Sequence, residues 1–415
     1  MKKYVFFTFS IYNVGGSQIY IRNKTNYLIQ NGWQVFVFSF QTGESVIQEL
    51  MKYSDFCFKE LSYPPYLQSE KKVEKICNKI ADIVSCNEAD EVIVESNDLY
   101  LGVWGEKVAS ILHARHLLYS LQEKNIILFD SFYHFLKFKL DRKELVGIDD
   151  KSLRFLFSSY LPLNNIPIYT LPALSTNVIE NVSCNFPIGN VEADHTILVM
   201  SRIDKTFIYP LMIELFKYVN EHLDFVYNIW LLGGGSQNQL AKIDEIFRTC
   251  KNVNFYCSGF IYPIPFSLLQ KADVAIASSG CVKIISRAGI PTISIDANDL
   301  MPIGVFGHTT INSLYRNGEE IVPLQVLLDD IVIKKKYKKK EVECENPIVD
   351  YSSHLAFVSS IDKPFAYYDF SKLKLPLIEK MKSLIIRFLG VKVYEFVKSF
   401  FYFLLRMIQN DDILI

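Results

Sequence analysis

Five short segments carry residue types that could hold a charged ligand. Asn13-Val14-Gly15-Gly16-Ser17 sets two glycines before a stretch of helical period. There the backbone could approach a phosphate or a sugar, and the N–H groups of a helix N-terminus favour an anion, although a tight turn fits equally well. Ser201-Arg202-Ile203-Asp204-Lys205 offers two cations that could grip a diphosphate, or a solvated Arg202–Asp204 pair. Leu232-Gly233-Gly234-Gly235-Ser236 ends an apolar run and opens a helix with Ser236 as its N-cap. Ser258-Gly259-Phe260-Ile261 and Ala277-Ser278-Ser279-Gly280 follow two further apolar runs, and taken singly each could be an ordinary strand-to-helix turn. His113-x-x-His116 is the one close histidine pair, with no third ligand beside it, so no metal site is expected.

The elements that must position these segments follow from periodicity. Apolar runs of strand length at 4–9, 34–40, 91–94, 117–121 and 126–129 alternate with helical patterns at 17–30, 73–84 and 101–112. A polar stretch bearing Gly and Pro, 181–194, precedes a restart: strands at 196–200, 226–232, 253–256, 273–277 and 292–295, helices at 208–222, 236–249 and 281–288. The reading is α/β, two tandem Rossmann-like domains over 1–185 and 190–345, with a return segment and an amphipathic helical tail over 346–415. In open α/β sheets ligands sit beyond the carboxyl ends of the strands. All five segments occupy that edge and together outline an inter-domain cleft.

Composition agrees with a large folded protein. The chain has 415 residues, 50% hydrophobic and 21% charged, enough for more than one core. The net charge of −1 argues against a nucleic-acid partner, which requires a basic footprint. That balance conceals an asymmetry: Lys334–Lys340 holds six lysines and no acid, and Lys372–Arg406 holds eight Lys/Arg against Glu379 and Glu395. Eight cysteines without CxxC spacing read as reduced core residues of a cytoplasmic protein. The longest charge-free windows, 155–179 and 252–270, are broken by prolines, so no transmembrane span is expected.

The order of these pieces resembles GT-B-fold glycosyltransferases of the family 4 type found in bacterial polysaccharide and capsule biosynthesis. The similarity rests on Gly15-Gly16-Ser17, Asn31-Gly32, Ser201-Arg202, Leu232-Gly233-Gly234-Gly235, Phe255 to Gly259, Ala272-Asp273-Val274 and Gly289-Ile290-Pro291-Thr292-Ile293, over roughly residues 1–300. The resemblance implies a nucleotide-sugar donor against the second domain, an acceptor against the first, and no cofactor or metal. Arg202 and Lys205 would stabilise the donor diphosphate, the backbone near Gly259 and Phe260 would meet the base, and Gly15-Gly16-Ser17 would face the reacting sugar. Gly233, Gly234, Ser279 and Gly280 complete the implied donor site. The family's paired glutamates would fall at Ile276 and Ile284, and no Glu occurs from 247 to 317.

An inverting reaction also needs a base near the acceptor hydroxyl. Glu95 and Asp98, in Glu95-Ser96-Asn97-Asp98, and Glu123 are placed to serve, with a surface or capping carboxylate as the plainer reading of each. From Leu384 to Ile408 a helix would carry a basic face and an aromatic apolar face, suited either to an anionic membrane surface or to packing back on the first domain. The expected activity is sugar transfer from a nucleotide sugar to a lipid-linked or saccharide acceptor at the inner face of the cell membrane. The alternatives are a catalytically silent GT-B partner subunit and a GT-B-fold nucleotide-sugar epimerase.

Overall fold

The computed structural model describes residues 1–87, 90–121, 128–157, 160, 167–182, 192–362 and 366–399. The first half runs β1 (Lys2–Phe7), α1 (Gly16–Gln30), β2 (Gln34–Phe38), α2 (Glu70–Val84), β3 (Glu91–Ser96), α3 (Leu99–Leu112), β4 (Arg115–Ser120), α4 (Asp130–Asp141), β5 (Leu145–Gly147) and α5 (Asp150–Phe157). Its strands form one parallel sheet in the order β2-β1-β3-β4-β5. The reversal between β1 and β3 is a topological switch point, and the Gly15-Gly16 turn leaves β1 on that edge.

The second half follows β6 (Ile179–Glu180): β7 (His195–Met200), α6 (Ile208–Glu221), β8 (Tyr227–Leu232), α7 (Gln237–Arg248), β9 (Val253–Cys257), β10 (Ile264–Pro265), α8 (Phe266–Leu269), β11 (Val274–Ala277), α9 (Gly280–Arg287), β12 (Thr292–Ile295) and β13 (Pro302–Val305). Here the order is β13-β12-β11-β7-β8-β9, with β10 and β6 paired separately. Every residue of β7 and β8 is buried, because helices cover both faces of a parallel sheet and leave no polar side. Two such halves in tandem make a GT-B fold.

Two details of the sheets add to the expectation. Of the apolar run at 126–129, residues 126–127 lie outside the described residues and 128–129 lead into α4, and the described sheet continues from β4 to the three-residue β5. The second sheet gains an antiparallel edge strand, β13, after β12. The return segment packs on the first half. Beyond α10 (Leu324–Leu328), its helix α11 (Ser352–Ser359) inserts into that half's core, where Tyr351 and His354 are both buried. The Tyr351 hydroxyl donates to the Leu174 carbonyl at 2.9 Å, and His354 Nε2 lies 3.0 Å from the Pro172 carbonyl.

The tail is helical in two pieces rather than one. The helix α12 (Leu377–Phe388) stops before Gly390, whose φ of +84° is the left-handed conformation that ends helices, and a second helical stretch covers 391–399. Residues 400–415, which carried the rest of the expected amphipathic pattern, lie outside the described residues. Among the described residues no helix is long and apolar enough to cross a membrane.

Candidate functional site

The loop after β7 is positioned by the glycines after β8. A Cβ on Gly233 would lie 1.9 Å from the Ser201 carbonyl oxygen, so only glycine lets the two loops meet. That contact is fixed by Ser201 N–H to Leu232 O at 3.1 Å and Ile203 N–H to Gly234 O at 3.0 Å. Arg202 and Lys205 are thereby presented from an anchored backbone. The Phe260 ring lies flat over Gly234, whose Cβ would fall 2.4 Å from a ring carbon. Gly259, at φ +67°, turns the chain to aim that ring.

These parts line a cleft of about 600 Å³ between the two halves. One wall is Gly15, Gly16 and Ile19 of the α1 N-terminus together with Ser175 and Asn177. The opposite wall holds Arg202, Lys205, Gly233, Phe260, Ser279 and Gly280. The expected residues that stand back from it are Ser17, whose hydroxyl donates to Gln18 Oε1, and Gly234 and Gly259, which support Phe260. Gly15 has extended backbone and a Cβ on Gly16 would meet nothing closer than 3.8 Å. A Cβ on Gly15 would fall 2.9 Å from the end of the flexible Gln18 side chain, which can move aside, so neither glycine is demanded by backbone strain or by a rigid packing neighbour, and what they supply is open room on the cleft wall.

Electrostatically the cleft is cationic. The Arg202 guanidinium is about half exposed and only loosely paired, with Nε 3.7 Å from Asp204 Oδ1. An exposed pair of that length contributes little and leaves the cation available to a ligand. Burial pushes the Cys281 thiol up to about 11, with the positive charge of Lys205 pulling the other way. Ser279 adopts φ +61°, a left-handed conformation for a residue with a side chain, and its N–H donates to the Ser313 carbonyl at 2.6 Å. Such strain concentrates at functional sites. Among the described residues lining the cleft, none is Asp, Glu or His.

Of the three base candidates, Glu95 and Asp98 do not line the cleft. Glu95 is fully buried in the first half, accepting from Lys24 Nζ at 2.5 Å, Tyr4 at 2.5 Å, Tyr20 at 2.8 Å and Asn97 at 2.8 Å. It is a structural ion pair, because every lone pair faces a protein donor and none faces the cleft. Asp98 caps α3, accepting from the N–H groups of Tyr100 and Leu101. Glu123 lies outside the described residues. Of the two positions matched to paired glutamates, Ile276 is buried inside β11 and Ile284 is an apolar part of the cleft wall. His116 is held by Ser96 and Glu106 in a buried cluster with Lys139, and burial lowers it to about 4. No group of three or more metal-ligating side chains occurs among the described residues.

Sequence reasoning missed Asn298 and Tyr315, which also line the cleft. They lie in the excursion after β12, which has no periodicity to announce it.

The chain matches no family profile and no curated protein. Solved structures do match. It is similar to a glycosyltransferase from Rickettsia africae at TM-score 0.51 and 16% identity, over 70% of this chain and 78% of that one. It is also similar to the N-terminal domain of Candida albicans trehalose-6-phosphate phosphatase at TM-score 0.50 and 12% identity, over 93% and 95%. A UDP-N-acetylglucosamine 2-epimerase from Rickettsia bellii follows at TM-score 0.42 and 10% identity, over 80% and 88%. Identities this low establish the shared GT-B fold and nothing finer.

Proposed function

We propose that the protein is a glycosyltransferase that moves a sugar from a nucleotide-sugar donor to a lipid-linked or saccharide acceptor in surface-polysaccharide assembly. The observation that carries this reading is the pair Arg202 and Lys205 on the wall of an inter-domain cleft whose described lining holds no carboxylate. Two anchored cations suit a diphosphate, whose charge grows as the sugar–phosphate bond breaks. They can offset that charge without a metal, and the described lining of the cleft offers no carboxylate to hold one. Calorimetric titration with a panel of nucleoside diphosphate sugars tests the reading. Micromolar binding of one is expected, and no binding by folded protein would overturn it. The second reading, a silent partner subunit, is favoured by Ile284 and by the absence of a carboxylate or histidine base among the described lining residues. The same titration separates the two.

Attachment to the inner membrane face belongs to the proposal. On α12, Leu377, Met381, Leu384 and Phe388 recur at helical spacing and are 55–80% exposed. The opposite side is held to the first half by Ser383 and Arg387, which donate to the Leu67 and Tyr66 carbonyls. Lys372, Lys374, Lys380, Lys392 and Lys398 are exposed around this apolar stripe, which suits an anionic lipid surface. The lysine run before it contributes less than its composition implies. Lys334 and Lys336 are paired with Asp330, and Lys339 donates to the Gln270 and Ala272 carbonyls of the second half. Full-length protein is expected to co-sediment with anionic liposomes, and Leu384→Glu/Phe388→Glu to weaken that by about tenfold or more, since each side chain buried is worth about 1.5–3 kcal/mol. Unchanged sedimentation of the double variant would remove α12 as the anchor.

A further inference from the structure

We infer that Asn298 and Tyr315, carried by the excursion after β12, form the subsite that holds the hydroxyls of the donor's sugar. The inference rests on the nucleotide-sugar reading above and adds which end of the cleft takes which part of the donor. The strand order β12-β11-β7-β8-β9 sets the order of the wall. Arg202 and Lys205 follow β7, at the centre. Phe260 follows β9, and Asn298 follows β12, each two strands from the centre, or about 10 Å at the usual strand spacing. A diphosphate at the centre therefore has one flanking group at each end.

The two ends differ in chemistry. At the β9 end the lining is Phe260, Ile261 and Ile264, an apolar and aromatic surface suited to a flat base. At the β12 end the polar Ser278, Ser279, Asn298 and Tyr315 stand beside the apolar Ala297 and Leu314, and those four can meet a ring studded with hydroxyls. Sugar hydroxyls need hydrogen-bonding partners when they leave water, and the apolar Ile284 of α9 cannot supply one.

The polar end is built to hold its shape. The buried Asp296 carboxylate accepts from the N–H groups of Asn298 at 2.7 Å, Asp299 at 3.3 Å and Arg316 at 2.6 Å, so one side chain fixes both arms of the excursion. Ala297 N–H donates to the Leu314 carbonyl at 2.9 Å, tying the arms together beside the two lining residues. Ser278 Oγ donates to the Ile295 carbonyl at 2.9 Å, and the Ser279 N–H to the Ser313 carbonyl, which joins the excursion to the start of α9. Among the described residues the Asn298 amide has no side-chain hydrogen bond of its own, so it can meet a ligand with both donor and acceptor.

Binding of paired probes tests this: UDP, GDP and ADP, each bare and as its glucose conjugate, titrated into wild type, Asn298→Ala and Tyr315→Phe. Wild type is expected to bind one conjugate more tightly than its bare diphosphate. Each substitution should weaken that conjugate by about tenfold, as loss of a ligand hydrogen bond does, and leave the bare diphosphate unchanged. Unchanged bare-diphosphate affinity also certifies that the variants are folded, and Tyr315→Phe removes a single oxygen if Asn298→Ala is unstable. Equal loss for both ligands, or no loss, would overturn the sugar subsite while leaving the nucleotide-sugar reading intact. Failure of wild type to bind any probe would overturn the reading on which it rests.

Discussion

Arg202→Ala is expected to lower turnover by about 100-fold or more while leaving thermal stability within about 1 kcal/mol of wild type. The large effect follows from position: the guanidinium stands on the wall of a cleft without described carboxylates, on a loop locked against Gly233. A preorganised charge of this kind costs no rearrangement when phosphate charge develops, and removing one such donor typically costs 10²–10³ in rate. The small stability effect follows from exposure: the side chain is about half exposed, and its ion-pair partner among the described residues, Asp204, is 3.7 Å away. Arg202→Lys should recover part of the activity, because charge returns without the planar fork that grips two oxygens. Steady-state rates with the donor identified by titration, beside thermal melts, check both halves. Normal turnover in folded Arg202→Ala protein would move the diphosphate elsewhere.

The cleft edge was legible because parallel βα units announce themselves as buried apolar runs followed by glycine, as at Leu232-Gly233 and Ala277-Ser278-Ser279-Gly280. What the glycines do was not legible. Gly234 reads as backbone that touches a ligand, and the structure adds that its missing side chain makes room for Phe260, a relation between two loops far apart in sequence. The carboxylates could not be told apart for a similar reason: Glu95 at the end of a strand and Asp98 three residues later look alike in sequence, but one is sealed under Lys24, Tyr4 and Tyr20 and the other caps a helix, the plainer of its two readings. Asn298 and Tyr315 reach the cleft through a hub at Asp296 that accepts from the Arg316 backbone N–H twenty residues on, which no local period encodes. In the tail Gly390 after Phe388-Leu389 is a helix-ending pattern, and the helix stops there although the amphipathic stripe runs across it.

Glu95→Ala is expected to cost about 3–5 kcal/mol of first-half stability, the penalty for leaving one member of a buried pair uncompensated. Lys24 and Glu95 are both fully buried, with Nζ and Oε2 2.5 Å apart. Burial opposes the carboxylate, but the Lys24 charge and the hydrogen bonds from Lys24, Tyr4 and Asn97 together hold its pKa below the usual range. A carboxyl depressed in the folded state contributes its stability above about pH 4.3, the unfolded value, and loses it as pH falls through the lower folded value. His354, whose Nδ1 is 3.3 Å from Lys24 Nζ, is lowered to about 4 by burial and then by that lysine's charge. It is neutral in the fold, whereas the unfolded chain takes up its proton near pH 6.5, so stability declines as pH drops from about 6.5 to about 4, before Glu95 titrates. Urea unfolding at pH 7 and pH 5 should therefore show a lower midpoint at pH 5 in wild type, and a smaller drop in His354→Asn. For Glu95 the conservative Glu95→Gln decides between two roles. A structural carboxylate predicts loss of stability with turnover retained in whatever fraction stays folded; a base predicts a stable protein without turnover. The closed ring of donors around Glu95 and its absence from the cleft wall favour the first.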